Sequence, residues 1–151
     1  YNVIFAWEDL KTLAAQNLDA ARDRLNDILC NYQGYKKCHL IVVYDAYKRK
    51  GGAGSEQDYH NIHLVFTREG QTADMYIEEY VRMLGKKVKV TVATSDGLEQ
   101  LTVSSGGALR MSSNELLLEV QEAERDIREV YLDQEYPKGE KHFPFAEHFS
   151  R

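Results

Sequence analysis

At 151 residues the chain is long enough for one domain with its own apolar core, and its 43% hydrophobic residues exclude a disordered chain. No apolar run approaches the roughly 20 residues of a membrane span and no secretory signal is visible, so we expect a cytoplasmic protein without a membrane partner. The formal net charge of -5 argues against a simple nucleic-acid binder, but residues 1–114 carry 14 basic and 14 acidic side chains, and the deficit lies in 115–151.

Apolar patterns predict alternating helices and strands. In chain order these are a helix over 18–32, strands over 38–44 and 62–67, a helix over 72–84, a strand over 88–94, a short helix over 96–103 and a long helix over 112–131. Such an order favours an α/β fold with an open, mainly parallel sheet flanked by helices. The polar, glycine-rich stretch 46–59 is expected to be a mobile loop. Residues 1–132 then form one domain, and 133–151 a tail docked on it.

Acidic residues follow all three predicted strands. Asp45 ends the first strand, Asp74 lies in the first turn of the helix after the second, and Asp96 follows the third. Because the carboxyl ends of parallel strands meet at one edge of a sheet, these acids are expected to gather there, with Glu78 one turn beyond Asp74. Gathered carboxylates repel one another unless they share a cation, and Mg²⁺ or Mn²⁺ prefers oxygen ligands. Taken singly, each acid is explained better as a helix cap, a charge near a helix N-terminus or a strand end. Only the three acids together make a metal site an equally good explanation.

Several short motifs also occur in an order that resembles a known family. They are Tyr1-Asn2-Val3-Ile4, Val42-Val43-Tyr44-Asp45-Ala46, Phe66-Thr67-Arg68-Glu69 with Thr72-Ala73-Asp74 and Ile77-Glu78, Ala93-Thr94-Ser95-Asp96, and Gly106-Gly107-Ala108-Leu109-Arg110. Together they are similar to the YacP-like branch of the NYN domains, bacterial proteins of the PIN-like nuclease superfamily. The resemblance covers nearly the whole chain to the end of the long helix.

The resemblance implies a metal-dependent endoribonuclease that uses Mg²⁺ or Mn²⁺, acts on RNA, mRNA in particular, and in some members is linked to the ribosome. Asp74 and Asp96 match acidic active-site positions and are the expected metal ligands. The remaining catalytic candidates are Asn2, Asp45 and Glu78. Thr94 or Ser95 is expected to orient a ligand or a water molecule. Candidates for RNA contacts are the basic residues Lys48, Arg49, Lys50, Arg68 and Arg110.

The chain departs from the family pattern at its start. The family motif reads Asp-Gly-Tyr-Asn and follows the first strand, whereas this sequence begins at Tyr1. The first strand and its aspartate are therefore missing from the sequence, and we expect the natural protein to extend further at its N-terminus. Without that metal ligand, the chain as given is expected to bind the metal weakly or to be inactive.

Two other functions fit parts of the sequence. A non-catalytic module could dock on RNA or on the ribosome through the basic clusters at 48–50 and 86–89. A nucleotide-binding or receiver-like domain is disfavoured, because the glycines of 51–54 match no phosphate-binding motif and do not join a strand directly to a helix.

Overall fold

The computed structural model describes residues 1–46, 50–94 and 108–135. In chain order the elements are α1 (Asn2–Ala6), α2 (Glu8–Gln16), α3 (Leu18–Lys36), β1 (Ile41–Tyr44), β2 (Ser55–Tyr59), β3 (Ile62–Phe66), α4 (Ala73–Leu84), β4 (Thr91–Ala93), β5 (Leu109–Met111) and α5 (Ser113–Glu135). The alternation of helices and strands confirms the expected α/β class. The predicted helix over 96–103 and residues 136–151 of the predicted tail lie outside these ranges.

The strands form two small sheets. The first has the order β1-β3-β2, with β1 parallel and β2 antiparallel to β3, and the second is the parallel pair β4-β5. The parallel pairing of β1 with β3 agrees with the sequence pattern. The prediction of a loop throughout 46–59 was wrong for its last five residues, which form β2. This strand forms because its backbone pairs with β3, and its side chains are mostly exposed, so the sequence shows no apolar signal there.

The main core lies on one face of the first sheet, between β1, β3 and the helices α1, α2, α3 and α5. Tyr44 and Leu64 of the sheet, and Ile4, Trp7 and Leu10 of the N-terminal segment, are almost completely buried in it. On the other face, α4 contacts β1 and packs over the second sheet. A smaller core there consists of Val81, Val92 and Ala108.

Polar side chains cap three of the helices at their N-termini. Asn17 caps α3 by accepting a hydrogen bond from the backbone N–H of Ala20, at 3.1 Å, and Thr72 caps α4 in the same way through Met75, at 3.1 Å. Gly85 ends α4 with a positive φ of 74°. Helix α5 begins with a capping box, in which Ser112 and Glu115 exchange hydrogen bonds. The backbone N–H of Ser112 donates to the carboxylate of Glu115 at 2.8 Å, and the backbone N–H of Glu115 donates to the hydroxyl of Ser112 at 3.0 Å.

No helix within the described part of the chain has the length and apolar character needed to cross a membrane.

Candidate active site at the carboxyl ends of the strands

The carboxyl ends of both parallel pairs carry polar residues. Tyr44 and Phe66 are the last ladder partners of β1 and β3, and Asp45 and Thr67 follow them. In the second sheet the last pair is formed by Ala93 and Met111. Thr94 and Ser112 come next, and the backbone N–H of Thr94 donates to the carbonyl of Met111 at 3.0 Å.

Asp45 contacts the beginning of α4. Its Oδ2 accepts a hydrogen bond from the backbone N–H of Ala73 at 3.3 Å, so this carboxylate lies at the residue before Asp74. The first backbone N–H groups of a helix have no partner within the helix and favour negative charge. The first two predicted acids are therefore brought to one helix N-terminus. Both side chains are partly exposed.

Thr67 supports this arrangement and was missed by the sequence reasoning. It is 3% exposed, and its hydroxyl accepts a hydrogen bond from the backbone N–H of Ala46 at 2.8 Å. Its own N–H donates to the carbonyl of Tyr44 at 3.1 Å. The chain on either side of Asp45 is thus fixed to the end of β3. A threonine at the end of a strand carries no sequence signal for this role, because threonine is common in strands for other reasons.

The N-terminal residues touch both sheets. Asn2 donates a hydrogen bond from Nδ2 to the hydroxyl of Thr94 at 3.3 Å, so these two candidate residues lie side by side. Tyr1 packs on Tyr44 with 5.2 Å between ring centroids, and its hydroxyl accepts a hydrogen bond from Arg22 at 2.9 Å. Burial raises the pKa of Tyr44 above its ordinary value, and the neighbouring Tyr1 adds to the rise.

The other acidic candidates differ in their surroundings. Glu78 lies one helical turn beyond Asp74 but forms an ion pair with Arg82, at 3.6 Å on the same helix. Asp96 and Ser95 lie outside the described residues. Oxygen donors of this kind suit Mg²⁺ or Mn²⁺. Nevertheless, in residues 1–46, 50–94 and 108–135 no three His, Cys, Asp or Glu side chains come together as a metal site. The donor chemistry fits a hard cation, but the expected ligand set needs Asp96.

The structure brings two of the five basic candidates to one turn. Glu69 accepts a hydrogen bond on its carboxylate from the N–H of Gly51 and donates its own N–H to the carbonyl of Gly52, both at 2.9 Å. These bonds hold the exposed Lys50 near the exposed Arg68. Arg110 lies apart from them, on β5 opposite Val92. Lys48 and Arg49 lie outside the described residues.

Comparisons with known proteins agree with this architecture. The family model of the YacP-like NYN domain matches residues 1–146. An uncharacterised protein, YacP of Bacillus subtilis (strain 168), is 41% identical over 142 residues, which are 92% of this chain and 83% of that protein. The crystal structure of Rae1 (YacP) from Bacillus subtilis matches with a TM-score of 0.80 at 36% identity, over 99% of this chain and 86% of the other. Its W164L mutant matches with a TM-score of 0.78 at 36% identity, over 98% and 85%. The chain belongs to the YacP-like NYN domain family and has the PIN-like nuclease fold of that family.

Proposed function

We propose that this protein is a metal-dependent endoribonuclease that hydrolyses RNA phosphodiester bonds. The hydrogen bond from Ala73 to Asp45 carries the proposal, because it brings one strand-end carboxylate to the helix N-terminus that also carries Asp74. Asp96 follows β4 in the sequence and is the proposed third acid. Membership of a PIN-like nuclease family supports the same reaction class.

The proposed ligands of Mg²⁺ or Mn²⁺ are Asp74 and Asp96, with Asp45 or Glu78 assisting. A bound divalent cation would lower the pKa of the attacking water molecule and neutralise negative charge on the phosphodiester. Water then adds to phosphorus, and the bond from phosphorus to the 3′-oxygen breaks. The 3′-oxygen takes up a proton, so the products carry a 3′-hydroxyl and a 5′-phosphate. Asn2 and Thr94 hold the edge of the second sheet against this centre through their hydrogen bond.

Basic residues beside the carboxyl edge are the proposed phosphate contacts. Lys50 and Arg68 are exposed near one turn, and Lys48, Arg49 and Arg110 complete the proposed set. Phosphate contacts position an RNA strand without reading its sequence, so specificity must come from elsewhere. We place the activity in cytoplasmic mRNA turnover. Because the proposed phosphate contacts are few, free RNA is expected to bind weakly. A larger assembly such as the ribosome would present the RNA and raise its effective concentration. Residues 1–132 are the proposed nuclease domain, and 133–151 a tail.

The direct test compares two aspartates in matched positions. Asp74 and Asp9 each lie in the first turn of a helix, so their replacement by Asn removes a similar stabilising charge. The protein is incubated with end-labelled RNA and Mn²⁺, Mg²⁺ or EDTA, alone and in a translating extract. Asp74→Asn is expected to lower cleavage by more than about 100-fold, since even outer-shell partners of a metal contribute about 10- to 100-fold. Asp9→Asn is expected to cleave normally.

The exposed basic residues Lys50 and Arg68 also fit a second function, that of a non-catalytic module that binds RNA or the ribosome. Folded protein that binds RNA but cleaves it in no lane, with or without metal or extract, would favour this module. Cleavage by the Asp74→Asn variant at the rate of the wild type would remove Asp74 from the catalytic set.

A further inference from the structure

The two sides of α4 differ in chemistry. Ile77 and Val81 pack against the second sheet, so the residues that share their stripe belong to the side of the candidate active site. The opposite side borders a groove with a volume of about 580 Å³. On the side of the second sheet, the stripe consists of Asp74, Ile77, Glu78 and Val81. On the side of the groove, the stripe consists of Tyr76, Glu79, Tyr80 and Met83.

The groove has an aromatic wall. Tyr76 and Tyr80 lie one helical turn apart, with ring centroids 6.1 Å apart and ring planes only 20° from parallel. Met83 extends this wall and is 76% exposed. Val65 of β3 lies beneath, so the groove offers an apolar floor and flat ring faces. Such faces are what unpaired nucleic-acid bases stack on, largely without regard to base identity.

One end of the groove lies at the turn that leads into α4. Arg68 and Gln71 of this turn line the groove, and two residues after Gln71 the N–H of Ala73 holds Asp45. The neighbouring loop packs tightly here, since a Cβ atom on Gly54 would lie 3.1 Å from the backbone nitrogen of Arg68. The groove therefore begins at the turn that precedes the N-terminus of α4, the helix end that Asp45 contacts.

The charges of the groove decide which part of a nucleotide it suits. Glu56 and Glu79 line it, and both raise the pKa of Tyr76, although burial is the larger cause. Carboxylates repel a phosphodiester but accept hydrogen bonds from the N–H groups on the edge of a base. Arg68, at the mouth, provides the only cation among the lining residues that the structure describes. These charges suit a base inside the groove and a phosphate beside Arg68.

We propose that the groove between α4 and the β2–β3 hairpin binds one unpaired base of the RNA strand, next to the nucleotides at the cleavage site. Tyr76 and Tyr80 stack on the base, Glu56 and Glu79 accept hydrogen bonds from its edge, and Arg68 contacts its phosphate. This subsite rests on the proposed ribonuclease function. It gives that function a means to prefer single-stranded RNA, because a base within a duplex is not free to enter.

The test measures binding of a short single-stranded RNA, with EDTA present to prevent cleavage. One abasic nucleotide is moved along the RNA, position by position. At one position the missing base is expected to weaken binding to the wild type by about tenfold, as for the loss of a stacked base. Tyr80→Ala is expected to weaken binding of intact RNA by a similar factor and to add no further loss on that abasic RNA. Such non-additivity identifies direct contact. Tyr80→Phe retains the ring and is expected to bind normally.

Tyr35→Ala is the matched control, since Tyr35 is an exposed tyrosine of α3 on the opposite side of the first sheet. Wild-type binding that is unaffected by an abasic nucleotide at every position would overturn the subsite, even if a tyrosine variant fails to fold. Equal losses by Tyr80→Ala on intact and abasic RNA would also overturn it. The same RNA is tested for cleavage with Mn²⁺. Cleavage without base-dependent binding would reject the base-binding subsite and support the nuclease function. Base-dependent binding without cleavage would support the subsite and reject the nuclease function.

Discussion

Asn2 and Thr94 are 92 positions apart in the chain, yet the side-chain amide of Asn2 donates a hydrogen bond to the hydroxyl of Thr94 at 3.3 Å. Thr94 is 5% exposed and directly follows β4, whereas Asn2 is exposed at the start of α1. Tyr1, the neighbour of Asn2, packs on Tyr44 at the end of β1. The first two residues therefore link the carboxyl edges of two separate sheets, and Asp45 directly follows β1 at one of these edges.

Asn2→Ala is expected to affect cleavage more than stability. A partly buried hydrogen bond contributes about 0.5–1.5 kcal/mol to the free energy of unfolding, so the variant remains folded. Misplacement of a catalytic centre by about 1 Å can lower a rate by up to about 100-fold, and we expect a loss of at least tenfold here. Denaturation in urea and single-turnover cleavage measure the two effects. Asn31→Ala, an exposed asparagine in the C-terminal half of α3, serves as the control and is expected to retain full activity.

Tyr44→Phe is expected to destabilise the domain without changing its shape. The Tyr44 hydroxyl donates a buried hydrogen bond to Oδ1 of Asn26 at 2.7 Å, and its removal leaves that oxygen unpaired in the core. The cost of such an unpaired group is about 1–3 kcal/mol. Tyr59→Phe is the matched control, because the Tyr59 hydroxyl bonds to Asp27 at 2.7 Å on the surface. That bond raises the pKa of Tyr59 to about 12, but water can replace it, so the loss there is expected to be smaller. Equal losses in urea denaturation would contradict this account.

The sequence predicted the elements whose side chains carry an apolar signal. β1, β3 and β4 contain β-branched residues, and α3, α4 and α5 combine an apolar stripe with a capping residue. β2 was missed because its polar side chains are mostly exposed and its backbone bonds to β3 hold it. α1 and α2 were missed because both are short, although Ile4, Trp7 and Leu10 recur at every third position and are buried.

The candidate site was only partly predictable for a related reason. The placement of Asp45 and Asp74 follows from strand order alone, since a carboxyl edge collects whatever follows its strands. The contacts that fix them depend on backbone geometry. No residue pattern indicates that the Ala73 N–H points at Asp45 or that Thr67 bonds to Ala46. The groove was missed because its tyrosines read simply as part of an amphipathic helix.

Two glycine substitutions are expected to change stability in opposite directions. Gly54 has a φ of +80°, and a Cβ atom there would lie 3.1 Å from the carbonyl oxygen of Phe66. Gly54→Ala is therefore expected to lower the free energy of unfolding by at least about 1–2 kcal/mol, the usual cost of a left-handed alanine. Gly34 lies within α3 with open space around it. Gly34→Ala is therefore expected to raise the free energy of unfolding by about 0.5–1 kcal/mol. Thermal unfolding of both variants checks the pair. A stabilising Gly54→Ala would show that this loop adjusts freely.

The β2–β3 hairpin is expected to lose stability as the pH rises. Nδ1 of His63 lies 2.9 Å from Asp58, and Nε2 lies 3.0 Å from Glu56. The hydrogen bond with Asp58, followed by that with Glu56, raises the pKa of His63 above its ordinary value. A raised pKa means that the folded state holds the proton more tightly than the unfolded state. The stabilisation is therefore complete below the ordinary histidine pKa of about 6.5 and disappears as the pH passes through the raised value.

His63→Gln removes this pH-dependent contribution. A glutamine still offers hydrogen bonds to one carboxylate but cannot take up a proton. The melting temperature of the variant is therefore expected to change less than that of the wild type between pH 6 and 8, where the charge of histidine changes. His39→Gln, an exposed histidine just before β1, is expected to keep the wild-type dependence. Identical pH profiles for the wild type and the His63→Gln variant would show that the imidazole bonds contribute nothing measurable in solution.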